Sequence, residues 1–151
     1  MKVLSEIIIK SENEMKNIGG LISKLLKSND LITFEGDLGV GKTFLCKSII
    51  NTITNIKEVP SPTFNLVQTY PLNKDIEIWH CDFYRIISPD EIDELGVFDN
   101  INNKIILIEW PKFLDNFSFN PLKIKIEFGN CVDERSLSFI FNENWKNRLK
   151  I

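Results

Sequence analysis

The sequence of 151 residues is poor in cysteine, and the three cysteines do not form a recognisable set. Cys46, Cys81 and Cys131 are odd in number and lie far apart along the chain. A disulfide framework requires paired cysteines, and the common zinc sites require closely spaced pairs. The sequence therefore predicts free thiols, with Cys46 packed in a helix.

The chain also lacks any apolar run of the roughly 18 residues that span a bilayer, and its amino terminus lacks the regions of a signal peptide. We therefore expect a cytoplasmic protein with no membrane association. Its net charge of −3 gives no general attraction to polyanions, so contact with RNA would need a partner protein. The length suits one hydrophobic core, and residues 1–151 are predicted to form a single domain.

Arginine is scarce as well, because only Arg85, Arg135 and Arg148 stand among the 18 basic residues. The planar guanidinium is the usual group for binding phosphoryl oxygens in pairs, and in many nucleotide hydrolases an arginine neutralises charge in the transition state. A hydrolase with so few arginines is expected to be slow when it acts alone.

What the sequence does contain is a glycine-rich loop of the P-loop pattern, Gly36-Asp37-Leu38-Gly39-Val40-Gly41-Lys42-Thr43. Inward-pointing backbone N–H groups bind the crowded oxygens of a triphosphate, and glycines allow the turn that presents them. Lys42 would place a positive charge between the outer phosphates, and the Thr43 hydroxyl would bind Mg²⁺. The loop predicts binding of a nucleoside triphosphate with magnesium.

The hydrophobic pattern around this loop is typical of an α/β protein. A strand over 31–35 leads into the loop and a helix from Lys42 to about Thr52 follows it, as a P-loop requires. Residues 105–108 are apolar on both faces and indicate a central parallel strand, whereas 66–70 with 76–79, and the strands after 122, indicate antiparallel hairpins. We expect a P-loop NTPase-like, three-layer α/β/α fold with a mixed, mostly parallel central sheet and antiparallel hairpins.

A further helix is predicted before the loop. Ser11 and Glu14 have the spacing of a capping box, and apolar residues recur at helical spacing to about Lys27. Gly19 and Gly20 are expected to weaken the middle of this helix, each by about 1 kcal/mol relative to alanine.

Two acidic residues lie at the ends of predicted strands. Glu109 follows the apolar strand 105–108, at the edge where open α/β sheets bind ligands, and is the predicted magnesium carboxylate. Asp82 lies in the segment His80-Cys81-Asp82-Phe83-Tyr84-Arg85 and either binds magnesium through water or orients the attacking water. Arg85 either reaches a phosphate or pairs at the surface, and His80 is either catalytic or a packed, hydrogen-bonded side chain.

Two other candidate residues lie in sequence patterns that indicate a functional role less specifically. Thr63, in Ser61-Pro62-Thr63, stands where many P-loop proteins carry a segment that senses the γ-phosphate, although a proline-stiffened turn explains it equally well. Trp110 follows Glu109 and either stacks on a base or a partner, or belongs to the core.

Four motifs, in this order, resemble those of the TsaE (YjeE) family, small bacterial P-loop ATPases of tRNA threonylcarbamoyladenosine biosynthesis. They are the loop 36–43, the segment Ser61-Pro62-Thr63-Phe64, the segment 80–85, which is similar to His-x-Asp-x-Tyr-Arg, and Ile108-Glu109-Trp110-Pro111. Between the last two lies an acidic helix that ends at Glu94-Leu95-Gly96, as in the family. The match covers most of the chain, and the presence of four motifs in the family's order makes the resemblance specific, whereas the loop alone would not.

This resemblance implies an ATPase that binds the TsaB and TsaD proteins. TsaD transfers a threonylcarbamoyl group to an adenosine next to the anticodon of tRNAs reading codons that begin with A. ATP hydrolysis would reset the complex, and tRNA would be contacted only indirectly.

The resemblance also implies roles for single residues. Lys42, Asp82 and Glu109 would be catalytic, Thr43 and Glu109 would bind Mg²⁺, and Trp110 would be functionally important. Phe44 stands where the family often has a second threonine. ATP would be bound by the loop residues Asp37, Leu38, Gly39, Val40, Gly41, Lys42, Thr43 and Phe44.

Two alternatives from other classes fit parts of this pattern. A small-molecule P-loop kinase would transfer the γ-phosphoryl group to a metabolite, but such enzymes commonly close an arginine-bearing lid, and residues 88–100 are acidic instead. A nucleotide-binding scaffold would use Lys42 and Thr43 but leave Asp82 and Glu109 without a catalytic purpose.

Overall fold

The computed structural model of the chain describes residues 3–62, 64–116 and 119–149. Its strands are β1 (Val3–Ile9), β2 (Leu31–Glu35), β3 (Val67–Pro71), β4 (Glu77–Asp82), β5 (Lys104–Glu109), β6 (Leu122–Phe128) and β7 (Arg135–Phe141). Its helices are α1 (Glu12–Leu25), α2 (Lys42–Thr54), α3 (Pro89–Leu95) and α4 (Glu143–Lys146). None of the helices in these ranges has the length and hydropathy of a transmembrane segment.

The described strands form one sheet in the order β1-β7-β6-β2-β5-β4-β3. β2 pairs in parallel with β5 and β6, and β4 pairs in parallel with β5. β7 is antiparallel to both β1 and β6, and β3 is antiparallel to β4. Five of these strands therefore point one way, and β3 and β7 point the other way. The predicted α/β fold, with a mixed, mostly parallel sheet and antiparallel hairpins, is confirmed.

The central strands are buried on both faces because helices cover each side of the sheet. Every residue of β5 is buried. Ile105 and Leu107 pack in a core shared with α1 and α2, whereas Ile106 and Ile108 pack in a second core with Ile92 of α3. This double burial explains why the strand is apolar without alternation.

The β6–β7 hairpin is covered on one face only. Leu122, Ile124 and Ile126 are buried in the first core, whereas Lys125, between two of them, and Glu127, after the last, are exposed. The alternation predicted from the sequence is therefore present, with one face of this part of the sheet in solvent.

The first helix packs closely against the P-loop helix. Ser11 begins it, because the Ser11 hydroxyl accepts a hydrogen bond from the Glu14 N–H at 3.1 Å. A Cβ atom added at Gly19 would lie 2.6 Å from the Cβ of Ser48 in α2, whereas one added at Gly20 would meet nothing within 4 Å. The prediction that both glycines merely weaken α1 was incomplete, since Gly19 is what allows the two helices to approach.

Candidate nucleotide-binding site

The glycine-rich loop connects β2 to α2 at the carboxyl end of the central strands. Gly39 and Gly41 have φ angles of +77° and +122°, which strongly favour glycine. Gly36 is also constrained in space, since a Cβ there would lie 2.4 Å from the carbonyl oxygen of Ile126. The loop backbone can therefore adopt this turn only because these three positions are glycine.

Lys42 is the first residue of α2, and its ammonium group is held against the loop. It donates hydrogen bonds to the carbonyl oxygens of Gly36 at 2.6 Å and Asp37 at 2.9 Å, and lies 4.0 Å from the centre of the Trp110 ring. Burial lowers the pKa of Lys42, although the carboxylates of Glu109, Asp82 and Asp37 oppose this shift. These negative charges stabilise the protonated ammonium group of Lys42 at its buried position.

Glu109 is the last residue of β5 and connects two other predicted site residues. One carboxylate oxygen accepts a hydrogen bond from the Thr43 hydroxyl at 2.5 Å, and the other lies 2.7 Å from His80 Nε2. Because a carboxylate only accepts hydrogen bonds, Nε2 carries the proton of this contact. His80 is fully buried and Glu109 is 2% exposed, so this chain of contacts forms the floor of the site.

Asp82 is the last residue of β4 and lies beside Glu109, because the parallel register pairs these two positions. One oxygen of its carboxylate accepts a hydrogen bond from the backbone N–H of Tyr84 at 2.9 Å. The backbone N–H of Phe83 donates to the carbonyl of Glu109 at 3.0 Å, which fixes the segment after β4 against the end of β5. Two acidic side chains are thus brought to one edge of the sheet.

Aromatic rings lie over the open side of this floor. Trp110 has a φ angle of 54° and is only partly buried, so it does not belong to the core. Its ring centre lies 4.8 Å from that of Tyr84. The Arg85 guanidinium lies 5.2 Å from the ring centre of Phe64, at the surface. Thr63, the neighbour of Phe64, lies outside the described residues, so its role stays a prediction.

A cavity of about 390 Å³ opens between the loop and these rings. Most of the predicted site residues line it. The lining comprises Leu38, Gly39, Gly41, Lys42, Thr43, Phe44, Asp82, Tyr84, Arg85, Glu109 and Trp110.

Three of the predicted site residues that the structure describes lie outside that lining. His80 lies behind Glu109, and Asp37 contributes its carbonyl to Lys42. Val40 is buried and lines a second, smaller cavity of about 180 Å³ that shares Gly39, Gly41 and Phe44 with the first.

Arg135 is a residue of this region that the sequence reasoning did not single out. It lines the second cavity, and its Nε donates to the carbonyl of Val40 in the glycine loop at 2.9 Å. The two residues are 95 positions apart in the sequence, and no motif connects them. The contact exists because β7 lies beside β1 and brings its first residue next to the loop.

Comparison with known proteins gives a consistent result. Residues 9–137 match the family model described as "Threonylcarbamoyl adenosine biosynthesis protein TsaE". A protein of Rickettsia bellii with the name "tRNA threonylcarbamoyladenosine biosynthesis protein TsaE" is 40% identical over 92% of this chain and 96% of its own length. A protein of the same name from Aquifex aeolicus is 33% identical over 73% of this chain and 79% of its own length.

A solved structure is similar as well. The crystal structure of YdiB from Bacillus subtilis has a TM-score of 0.75 and 25% sequence identity, and the match covers 97% of this chain and 91% of that one. With a family model that matches most of its length, the chain belongs to the TsaE family of tRNA threonylcarbamoyladenosine biosynthesis.

Proposed function

We propose that the chain is a cytoplasmic P-loop ATPase that binds ATP with Mg²⁺, associates with the TsaB and TsaD proteins, and hydrolyses ATP to reset their complex between rounds of tRNA modification. tRNA would be contacted only through that complex. The observation that carries the proposal is the 2.5 Å contact between Thr43 and Glu109 on the floor of the 390 Å³ cavity. A hydroxyl from the P-loop and a carboxylate from the neighbouring strand are the pair that a magnesium–nucleotide complex requires.

The donor set fits this ligand. Thr43 and Glu109 offer oxygen atoms, which Mg²⁺ prefers, and the loop backbone offers N–H groups at the start of α2 for phosphate oxygens. The space beside Gly39, where a Cβ would meet nothing within 4 Å, leaves the loop open towards the cavity that it lines. Thr43 and Glu109 would hold the metal ion, which when bound neutralises charge on the phosphates.

The remaining polar groups have distinct tasks in hydrolysis. Lys42 donates its N–H groups to phosphate oxygens in place of the carbonyls of Gly36 and Asp37. Asp82 has one oxygen fixed by the Tyr84 N–H, so its carboxylate is oriented to hold the attacking water. His80 donates to Glu109 and thereby fixes that carboxylate, and its complete burial makes it a positioning residue.

We assign the base of the nucleotide to the second cavity. It adjoins the P-loop through Gly39 and Gly41, and it combines the apolar side chains of Ile9, Met15 and Phe44 with polar groups. A photoreactive azido-adenine analogue of ATP should therefore label residues 9–15 or 133–135. Labelling confined to other parts of the chain would contradict this assignment.

The arginine positions support slow hydrolysis by the isolated chain. Arg135 is bonded to the loop backbone at Val40, and Arg148 forms an ion pair with Asp30. Among the described residues only Arg85 lines the main cavity, and its guanidinium rests on Phe64. A group that neutralises transition-state charge in trans can contribute 10³ to 10⁵ in rate, so a partner that supplies one would accelerate turnover.

Turnover measured with and without the TsaB–TsaD pair tests the proposal. The expected result is slow release of phosphate by the chain alone and an increase of at least about tenfold in the complex, a lower bound on the 10³ to 10⁵ that a supplied positive group can give. Labelled ATP should yield labelled phosphate in water; a labelled metabolite would indicate a kinase instead. Equal turnover with and without the two partners would contradict the proposed stimulation.

A further inference from the structure

A buried cluster of sulfur, nitrogen and oxygen donors lies directly behind the magnesium carboxylate. The Cys46 sulfur, a ring nitrogen of His80 and a carboxylate oxygen of Glu109 all lie within 4.8 Å of one another. Cys46 and His80 are fully buried and Glu109 nearly so. Cys46 follows Thr43 by about one helical turn, so α2 presents the hydroxyl and the thiol towards the same carboxylate.

His80 is incompletely bonded in this cluster. Its Nε2 donates to Glu109, and its Nδ1 has no hydrogen-bond partner among the described residues. An ion shared with Glu109 must bind Nε2, because Nε2 is the ring nitrogen that faces this carboxylate. The unpartnered Nδ1 can carry the ring proton instead, and Nε2 then presents the lone pair that binds metal ions. A buried nitrogen without a partner calls for an explanation, because most buried polar atoms are bonded.

Glu109 thus separates two kinds of donor. On the side of Thr43 it meets an oxygen, which suits a hard ion such as Mg²⁺. On the side of His80 and Cys46 it meets nitrogen and sulfur, which Mg²⁺ does not take but Zn²⁺ and similar ions bind well. Two ligands at about 2.0 to 2.3 Å from one tetrahedral ion lie roughly 3 to 4 Å from each other. His80 Nε2 and the Glu109 oxygen, 2.7 Å apart, must therefore separate slightly, and the Cys46 sulfur lies within 4.8 Å of the other two donors.

We propose that Cys46, His80 and Glu109 form a site for a thiophilic divalent cation of the Zn²⁺ class, and that its occupation inhibits the nucleotide site. The ion is bound by the Cys46 thiolate, His80 Nε2 and the Glu109 carboxylate; the thiol proton leaves to solvent, and the ring proton of His80 moves from Nε2 to Nδ1. Glu109 is the member of the cluster that lines the main cavity. Glu109 engaged by this ion is no longer available to Thr43 and Mg²⁺. Only the inhibitory consequence rests on the proposed function; the ion site does not.

Cobalt titration of the full chain, under reducing conditions and without nucleotide, tests the site directly. Co²⁺ alone should give the charge-transfer absorption of a thiolate–cobalt bond, saturating at about one equivalent per chain. The band should disappear in Cys46→Ala and in the nearly isosteric Cys46→Ser. It should persist in the matched control Cys131→Ser, which removes the exposed cysteine.

The second arm measures competition. Zn²⁺ should weaken the binding of a fluorescent ATP analogue with Mg²⁺ in the wild type, and loss of the sulfur ligand in Cys46→Ser should lower the inhibitory potency of Zn²⁺ by at least about tenfold. No thiolate band in the wild type, or a band that survives in both Cys46 variants, would overturn the site. Because cobalt binding needs no ATP, a chain that shows the band but does not hydrolyse ATP would refute the proposed function alone.

Discussion

At the residue scale, the Glu109 carboxylate joins two other side chains of the site. It accepts from Thr43 through one oxygen and from His80 through the other. Glutamine has nearly the same shape, but an N–H₂ donor replaces one of the two acceptor oxygens. In either orientation this donor would face another donor, the Thr43 hydroxyl or the His80 N–H, and one hydrogen bond would be lost. We therefore expect Glu109→Gln to lower turnover by at least about 100-fold while ATP binding through the loop is retained.

Steady-state phosphate release and nucleotide titration measure the two effects separately. Glu127→Gln is the matched control, because Glu127 is an exposed carboxylate of β6 outside the cavity. Unchanged turnover in Glu109→Gln would favour a nucleotide-binding scaffold.

The charge of Lys42 predicts a dependence of stability on pH. Burial lowers the pKa of Lys42 in the folded state from its ordinary value of 10.5. Between the lowered value and 10.5 the unfolded chain binds more protons at this residue, so this group makes the free energy of unfolding rise with pH. The free energy of unfolding of the wild type, relative to that of Lys42→Met, should therefore increase as the pH rises towards 10.5.

Urea unfolding of both proteins at a series of alkaline pH values measures this difference. The cysteines and tyrosines are common to both chains, so their ionisation largely cancels in the comparison. A difference that is flat, or that falls with increasing pH, would show that the pKa of Lys42 is not lowered.

Individual residues of the site could be predicted where a short motif contains them. The loop residues, Glu109 and Asp82 lie in short sequence patterns that indicate their chemistry, and the structure brings them together in the lining of one cavity. The hydrogen-bond partners of Glu109 could not be predicted from the sequence, because Thr43 lies 66 positions away and His80 lies 29 positions away. Which face of β4 points towards the carboxylate depends on the strand register, and the sequence pattern does not specify it.

At the scale of elements, the packing of α1 on α2 depends on which of two adjacent glycines is replaced. In Gly19→Ala the added methyl would lie 2.6 Å from the Cβ of Ser48, so the helices must move apart. We expect a loss of about 1 to 3 kcal/mol in the free energy of unfolding from this overpacking. In Gly20→Ala the methyl meets nothing within 4 Å, and the better helix propensity of alanine should stabilise the protein by up to about 1 kcal/mol.

Thermal or urea unfolding of the two variants measures this contrast, with each serving as the control for the other. Equal effects of both substitutions would contradict the close approach at Gly19. Propensity alone treats the two positions alike, which is why the sequence indicated only a weakened helix.

Helix and strand types were predictable here because their periodicities are clear and short turns connect them. The hairpins, the buried β5 and the P-loop helix all occur where the pattern placed them, with bounds shifted by one to a few residues. The order of strands across the sheet could not be predicted in this way. That β7 lies between β1 and β6, which places Arg135 beside Val40, depends on long-range pairing that leaves no periodic signal.

At the scale of the whole molecule, exposed apolar side chains lie in the lining of the main cavity and in segments adjacent to its lining residues. Leu38, Phe64, Tyr84 and Ile87 are 80%, 82%, 50% and 82% exposed, respectively. Leu38 and Tyr84 line the cavity itself, and Arg85, between Tyr84 and Ile87 in sequence, rests on Phe64. Clustered exposed apolar residues of this kind mark interaction surfaces, so we expect the proposed partners to dock over the nucleotide here.

Polar substitution at this surface should therefore separate binding of the partners from binding of ATP. Ile87 lies outside the cavity lining, so Ile87→Ser should leave nucleotide affinity and the slow intrinsic turnover unchanged. It should reduce stimulation by the TsaB–TsaD pair at least about tenfold, since a buried apolar anchor of this size contributes roughly 1.5 to 3 kcal/mol to an interface. Ile8→Ser is the matched control, because Ile8 is 60% exposed on β1, in a different part of the sheet. Equal loss of stimulation in both variants would indicate a general effect of surface polarity, and full stimulation of Ile87→Ser would place the partners on another face.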